Sequence, residues 1–130
     1  MSFDTDQREF MTLAGQSTDR INMPQAVRYI RHIAEEAKET AYAYDDGDFV
    51  KTVDGLVDTI VVCIGALWSL GIDPVEAWDA VHAANMRKVD GSLGPVVKRP
   101  DGQVGKPDGW FGPERDLTLL VAQLFAKPAR

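Results

Sequence analysis

Two short acidic clusters are the part of this sequence most typical of a catalytic centre. Residues 35–39 read EEAKE, and residues 54–58 read DGLVD. Residues three and four apart share one face of a helix, so two antiparallel helices would bring these carboxylates together. Carboxylates held that close repel one another unless a cation lies between them. The five candidate metal ligands are Glu35, Glu36, Glu39, Asp54 and Asp58.

The donor atoms indicate which metal these clusters would bind. Several oxygen ligands without Cys or His suit a hard cation, so the sequence predicts Mg²⁺, with Mn²⁺ as the alternative ion. His32 and His82 have no Cys or His at ligand spacing, and no Glu-x-x-His motif occurs, which argues against zinc and di-iron sites. A solvated charged face is the alternative interpretation of the cluster at residues 35–39.

A second group of polar residues is suited to binding phosphate. Asn85 and Lys88 lie three apart at the predicted end of a helix, where they share a face. Lys98 and Lys106 follow in a segment rich in glycine and proline, and they add positive groups that would close on an anion. A basic helix end that complements the helix dipole is the simpler alternative for Lys88.

Five helices are predicted to position these residues. Pro24 suits the first turn of a helix, whereas Gly15 and Gly71 are typical of residues that follow a helix end. The predicted helices span about residues 4–14, 24–44, 49–70, 74–87 and 114–126. The side chains expected to pack the first two are Phe3, Phe10, Met11, Ala14, Val27, Ile30, Ala34, Ala37 and Ala41.

The predicted fold is an all-α bundle of four to five helices. Residues 89–112 contain six Gly and three Pro without a convincing period, which predicts a long loop before the last helix. The end of the third helix is apolar on every side, more than a small chain covers by itself, so we expect a homodimer or homotetramer to complete the bundle. We expect one domain over residues 1–130, with a core at about 24–88.

Composition excludes several classes of partner. The net charge of −6 argues against a nucleic-acid binder. The longest apolar run is about half the length of a membrane span, and the first residues lack the pattern of a signal peptide, so we expect a soluble cytoplasmic protein without a membrane partner. The single cysteine, Cys63, lies in an apolar run and is expected to be a buried, inert thiol.

The order of these motifs resembles the MazG-like all-α nucleoside triphosphate pyrophosphohydrolases, relatives of phosphoribosyl-ATP pyrophosphohydrolase and the dimeric dUTPases. The resemblance covers about residues 24–88 and rests on the acidic cluster, Asp58, and the pair Asn85 and Lys88. The segment from Gly105 to Pro113 is similar to small phage and bacterial members. One position departs, because Gly55 stands where the usual Glu-x-x-Asp motif has Glu, and Asp54 supplies the nearby acid.

The resemblance implies Mg²⁺-dependent cleavage of a nucleoside triphosphate between the α- and β-phosphates, giving a monophosphate and pyrophosphate. It implies metal binding by the acidic residues, with Glu36 as the candidate general base. Relatives that act on purine deoxynucleotides make dGTP or dATP candidate substrates. The resemblance also implies the cytoplasm of a bacterium, or of a phage-infected bacterium, as the location.

Recognition of the base has the weakest signals in the sequence. Gln16 and Asn22 offer amide groups for a base edge, and Trp110 either stacks on a base or anchors the C-terminal segment. A non-catalytic helical module that binds a nucleotide or a partner is the alternative to the enzyme. That module would bind its ligand without metal-dependent turnover.

Overall fold

The computed structural model describes residues 2–126, and its regular secondary structure there is helical, apart from one isolated β-bridge between Lys98 and Val104. The prediction of an all-α fold is therefore confirmed. The helices begin and end within about two residues of the predicted bounds. They are α1 (Phe3–Leu13), α2 (Met23–Asp45), α3 (Phe49–Ser69), α4 (Pro74–Arg87) and α5 (Glu114–Ala126).

Local signals explain where the helices of the first half begin and end. Asn22 is the N-cap of α2, and its Oδ1 accepts a hydrogen bond from the Gln25 amide at 3.1 Å. Asp48 caps α3 in the same way, through the Lys51 amide at 3.0 Å. Gly71 follows α3 with φ of +73°, a left-handed conformation that glycine adopts without a steric penalty. Each of these signals acts within a few residues.

The described residues divide into two compact units, one up to Pro74 and one from Val75 onward. The first unit contains α1, α2 and α3, and α3 packs against both other helices. Trp68 of α3 is buried, and its Nε1 donates a hydrogen bond to the Asp4 carbonyl at 3.0 Å. That bond ties the end of α3 to the first turn of α1.

Two glycines set the spacing and direction of α2 and α3. A Cβ atom at Gly55 would lie 3.1 Å from Thr40 Cβ, and one at Gly65 would lie 2.8 Å from Tyr29 Cζ. Both distances are below ordinary van der Waals contact, so the two backbones approach more closely than any side chain at these positions would allow. Residue numbers rise along one helix as they fall along the other, which makes the pair antiparallel.

The close approach corrects one of our expectations about the core. The stripe predicted for α2 is exposed, as are Phe3 and Phe10 of α1 and its C-cap Ala14, whereas Met11 is fully buried as expected. Thr40 packs against Gly55 and the Tyr29 ring packs against Gly65, so a face of mixed character packs on α3 instead of the most apolar one. The α2 residues that lie buried or half-buried are Gln25, Ala26, Tyr29, Ile33, Glu36, Thr40 and Ala43.

A buried polar network fixes the loop between α1 and α2. The Gln25 side chain donates to the Ser17 carbonyl and to Ser69 Oγ, both at 2.8 Å, and its Oε1 accepts from the Ser17 amide at 3.0 Å. Ser69 Oγ in turn donates to the Gly65 carbonyl at 2.7 Å. Because every polar atom of the Gln25 side chain has a partner, its burial carries little desolvation penalty.

The second unit contains most of α4, a turn-rich segment and α5. The Gly105 amide donates to the Val97 carbonyl at 2.7 Å, and the Arg99 amide donates to the Gln103 carbonyl at the same distance, which forms a short hairpin. The segment from Gly105 to Gly112 then leads to α5. No single helix within residues 2–126 is long and apolar enough to span a membrane, although α3 and α4 taken together reach the required length and composition.

Candidate functional site

The α2–α3 register brings part of the acidic clusters to one level. Counting from the contact of Thr40 with Gly55, one turn back along α2 reaches Glu36, and one turn forward along α3 reaches Asp58. Glu36 and Asp58 are both half-buried. Two of the five predicted metal ligands therefore lie at the same level of the most closely packed helix pair.

The pKa of Glu36 reports this proximity. It is raised above the ordinary glutamate value, first by partial desolvation, then by the negative charges of Glu39 and Asp58, and least by that of Asp54, while His32 opposes the shift. Carboxylates from both helices thus act on one side chain. Repulsion of this kind is what a divalent cation would relieve.

The remaining predicted ligand has a different neighbour. Glu35 is exposed, and one of its oxygens lies 3.7 Å from Nε2 of His32, one turn earlier on α2. The predicted cluster of five is therefore four carboxylates that interact around Glu36, with Glu35 beside a histidine. The contribution of Glu35 to metal binding stays a prediction.

The oxygen donors of these carboxylates suit a hard divalent cation. Four carboxylates without a thiolate or imidazole among them match the oxygen preference of Mg²⁺ and Mn²⁺. Within residues 2–126, no three His, Cys, Asp or Glu side chains stand close enough together to enclose an ion. Glu39 and Asp54 are exposed, whereas Glu36 and Asp58 are half-buried.

The structure explains the departure at position 55. Gly55 is buried where α3 crosses Thr40, and the Oγ1 of Thr40 lies even closer to the site of a Cβ atom than Thr40 Cβ does. Thr40 Oγ1 donates a hydrogen bond to the Glu36 carbonyl at 2.6 Å, which holds it there. A glutamate at position 55 does not fit this contact, so the acids available on α3 are Asp54 and Asp58.

The residues proposed for base recognition take part in the fold. Tyr29 Oη donates a hydrogen bond to Gln16 Oε1 at 2.5 Å. Asn22 caps α2, and its Nδ2 donates to Ser17 Oγ at 3.2 Å. Both side chains are partly buried and held by these bonds. A role in contacting a base stays a prediction for both.

Within the second unit, three of the predicted phosphate-binding residues lie together around Trp110. The Nζ atoms of Lys88 and Lys106 lie 4.7 Å and 5.1 Å from the centre of its indole. Lys88 Nζ also donates to Asn85 Oδ1 at 3.5 Å. Lys98 lies instead in the hairpin, bridged to Val104. The two lysines nearest Trp110 are thus eighteen residues apart in sequence but share one ring.

Sequence reasoning missed the residues that hold these groups in place. Arg87 Nη2 donates to the Phe111 carbonyl at 3.0 Å, and its guanidinium lies 3.9 Å from the centre of the Phe111 ring. Thr40 was also missed, although a glycine inside a helix, as at Gly55, signals the close approach of another backbone. No local pattern pointed to Arg87, because its partners lie 24 and 25 residues further along the chain.

Comparison with known proteins identifies the family of this chain. No curated protein matches the sequence significantly. The family model of phosphoribosyl-ATP pyrophosphohydrolase (PRA-PH) matches residues 12–85, more than half of the chain. The matched region includes both acidic clusters and ends at Asn85. The chain therefore belongs to the PRA-PH family, within the MazG-like all-α nucleoside triphosphate pyrophosphohydrolase superfamily.

Proposed function

We propose that this protein is a Mg²⁺-dependent nucleotide pyrophosphohydrolase that cleaves a (d)NTP between the α- and β-phosphates. The products are a (d)NMP and pyrophosphate. One observation carries the proposal: Glu36 and Asp58 share one level of the α2–α3 contact, and Glu39 and Asp54 act on the same carboxylate. Membership of the PRA-PH family supports a pyrophosphohydrolase reaction in general.

The acidic side chains are the ligands in this proposal. Glu36, Glu39 and Asp58 would hold the metal, with Glu35 and Asp54 as further ligands from the exposed margin. When bound, the ion would offset the negative charge of the phosphate chain and favour loss of a proton from water. Mn²⁺ would serve in the same way, because it shares the preference of Mg²⁺ for oxygen ligands.

Glu36 is the proposed general base. It is half-buried and lies level with Asp58 across the α2–α3 contact, which places its carboxylate beside the proposed metal site. The oxygen of one water molecule forms a bond to phosphorus on one side of the α–β bridge, and its proton passes to Glu36. The bond from that phosphorus to the bridging oxygen breaks, and the electron pair leaves with the departing phosphate group.

The cations of the second unit are the proposed phosphate ligands. Asn85, Lys88 and Lys106 lie together around Trp110, and Lys98 in the hairpin is the more remote candidate. Ammonium groups bind phosphate oxygens as point charges, and an amide donates a further hydrogen bond. This assignment agrees with the Asn-x-x-Lys pattern of the superfamily.

A purine nucleotide is the proposed substrate, with dGTP and dATP as the first candidates. Phosphoribosyl-ATP, which gives the family its name, belongs in the same test because it also carries a phosphoanhydride bond next to a purine nucleoside. We further propose that the chain assembles as a homodimer or homotetramer. Val53, Leu56 and Ile60 are exposed along one side of α3, and a second copy would bury them.

Product analysis tests the reaction. Purified protein is incubated with Mg²⁺ or Mn²⁺ and each common NTP, each dNTP or phosphoribosyl-ATP, and the products are separated by anion-exchange chromatography. We expect pyrophosphate and a monophosphate in equal amounts from one or a few purine substrates. Release of orthophosphate, or no product from any of them, would contradict the proposal and favour a nucleotide-binding module.

Thermal unfolding tests the metal site without any substrate. We expect Mg²⁺ or Mn²⁺ to raise the melting temperature of the wild-type protein, because an ion that binds only the folded state stabilises it. Glu36→Gln should reduce this increase strongly. In EDTA the same variant should melt slightly above wild type at neutral pH, because it removes the repulsion that raises the pKa of Glu36.

The pH dependence of stability in EDTA tests the same repulsion at Glu36. A carboxyl group with a raised pKa in the folded state binds its proton more tightly there than in the unfolded chain. Wild-type stability should therefore fall as the pH rises from the ordinary glutamate value through the raised one, and Glu36→Gln should flatten that fall. Glu9→Gln, an exposed position on α1, is the matched control. An unchanged response to metal in Glu36→Gln would exclude Glu36 as a ligand.

A further inference from the structure

The segment from Gly105 to Gly112 is held against the end of α4 by several independent contacts. Trp110 Nε1 donates a hydrogen bond to the Ala84 carbonyl at 2.8 Å. Arg87 donates to the carbonyls of Phe111 and Gly112 and stacks on the Phe111 ring. These contacts fix the indole beside the last turn of α4, where Lys88 follows the helix.

Lys106 reaches the same indole from the other end of the segment. It lies between Gly105 and Pro107, which are both buried, so its backbone is held on both sides. A Cβ atom at Gly105 would lie 3.0 Å from Val97 Cγ1, which keeps this stretch against the hairpin. The segment therefore brings Lys106 to the ring that already contacts Lys88.

Two ammonium groups at one ring form an unusual charge arrangement. The ion pairs His32–Glu35 and Arg99–Asp101 involve neither of them. The negative face of an indole attracts each cation, but the two cations repel one another. An anion with several charged oxygens would relieve that repulsion. The Nζ atoms lie 4.7 Å and 5.1 Å from one ring centre, so both ammonium groups belong to a single positively charged region around Trp110.

We propose that Trp110 is a positioning residue that orients Lys88 and Lys106 as a two-lysine site for the polyphosphate group of a nucleotide. The assignment of a nucleotide ligand rests on the proposed function. Trp110 acts through the face of its ring, which holds both ammonium groups in place before the ligand arrives. A preorganised pair loses less side-chain entropy on binding than two free lysines do.

Binding of inorganic tripolyphosphate in EDTA tests this inference by isothermal titration calorimetry. Without a divalent ion the carboxylates of the first unit repel the probe, so the lysines account for the binding. We expect Trp110→Leu to weaken the affinity about tenfold, because it removes the ring from both lysines. Trp110→Phe should restore most of the affinity, because it keeps an aromatic face although it loses the hydrogen bond to Ala84.

The Phe variant separates positioning from anchoring. If Trp110 only anchors the segment, Phe and Leu lose the same hydrogen bond, and both should weaken binding equally, which would overturn the proposal. Trp78→Leu is the matched control, because Trp78 is 70% exposed on α4 and should leave the affinity unchanged. In a Lys88→Met/Lys106→Met background, Trp110→Leu should have no further effect on binding. A further loss there would show that Trp110 does not act through the lysines.

Turnover separates this inference from the proposed function. If wild-type protein hydrolyses no nucleotide but the binding series behaves as described, the site stands and the reaction assignment fails. If wild-type protein is active and its tripolyphosphate affinity does not change in Trp110→Leu, the positioning role fails and the reaction stands. In an active protein, we expect Trp110→Leu to raise KM, with Trp110→Phe close to wild type.

Discussion

Asp58→Asn is expected to reduce kcat by roughly 100-fold or more while leaving the helical content unchanged. Asp58 is half-buried, lies level with Glu36 across the α2–α3 contact, and contributes to the raised pKa of that residue. Asparagine keeps the size of the side chain but loses the negative charge that holds a divalent ion. Steady-state kinetics over a range of Mg²⁺ concentrations, with circular dichroism on the same samples, measure the effect.

Two other variants serve as comparisons for Asp58→Asn. Asp54→Asn should have a smaller effect, because Asp54 is exposed and lies one turn further from Glu36. Asp79→Asn, an exposed acid on α4, should leave kcat unchanged. Loss of activity that high Mg²⁺ partly restores would support a role in metal binding. Wild-type kcat in Asp58→Asn would exclude the site proposed between α2 and α3.

Gly65→Ala is expected to lower the free energy of unfolding by about 2 kcal/mol. An added Cβ atom would lie 2.6 Å from Cδ1 and 2.8 Å from Cζ of Tyr29, with Cε1 closer still. The ring is partly buried, and its hydroxyl is bonded to Gln16, so moving it breaks that hydrogen bond. On an open helix surface the same substitution would stabilise by up to about 1 kcal/mol. Urea denaturation followed by circular dichroism measures the change.

A double-mutant cycle identifies the cause of this destabilisation. Tyr29→Ala removes the ring that the new methyl group would meet, at its own cost in packing. In that background Gly65→Ala should be neutral or slightly stabilising, because only the higher helix propensity of alanine remains. If Gly65→Ala destabilises both backgrounds equally, close contact with Tyr29 is not the reason for glycine at this position.

The pKa of Tyr29 also reflects the close contact between α2 and α3. Burial raises the pKa of Tyr29 above its ordinary value, although hydrogen bonds and the charge of Arg28 oppose the shift. The ring therefore lies in a poorly solvated position where α2 and α3 meet. Displacing the ring would open this contact about two turns from Glu36. Activity of Gly65→Ala should therefore be measured together with its free energy of unfolding, so that a loss of stability is not taken for a catalytic effect.

The helix bounds followed from short-range signals in the sequence. Asn22 and Asp48 cap their helices through amides three residues later, and Gly71 takes the conformation that ends α3. Each signal needs only its own neighbours in the chain. The acidic clusters were likewise visible without a structure, because four-residue spacing on a helix is enough to align their carboxylates.

The packing of α2 could not be read from its sequence. The helix has two faces with the same three-and-four spacing, and the more apolar one, which includes Val27 and Ile30, is exposed. The face that packs includes Gln25, Glu36 and Thr40. Hydropathy favoured the wrong face because it does not register the close approach that Gly55 and Gly65 allow.

By itself, the sequence determined the five helices, their ends, and the residue types available for metal and phosphate. Only the tertiary structure decided which of those residues meet: Glu36 with Asp58 across two helices, and Lys88 with Lys106 at Trp110. Helix caps and turns depend on neighbours a few residues away, so they are present in the chain as local patterns. Contacts between distant residues depend on backbone spacing and side-chain volume, which take definite values only when the chain has packed.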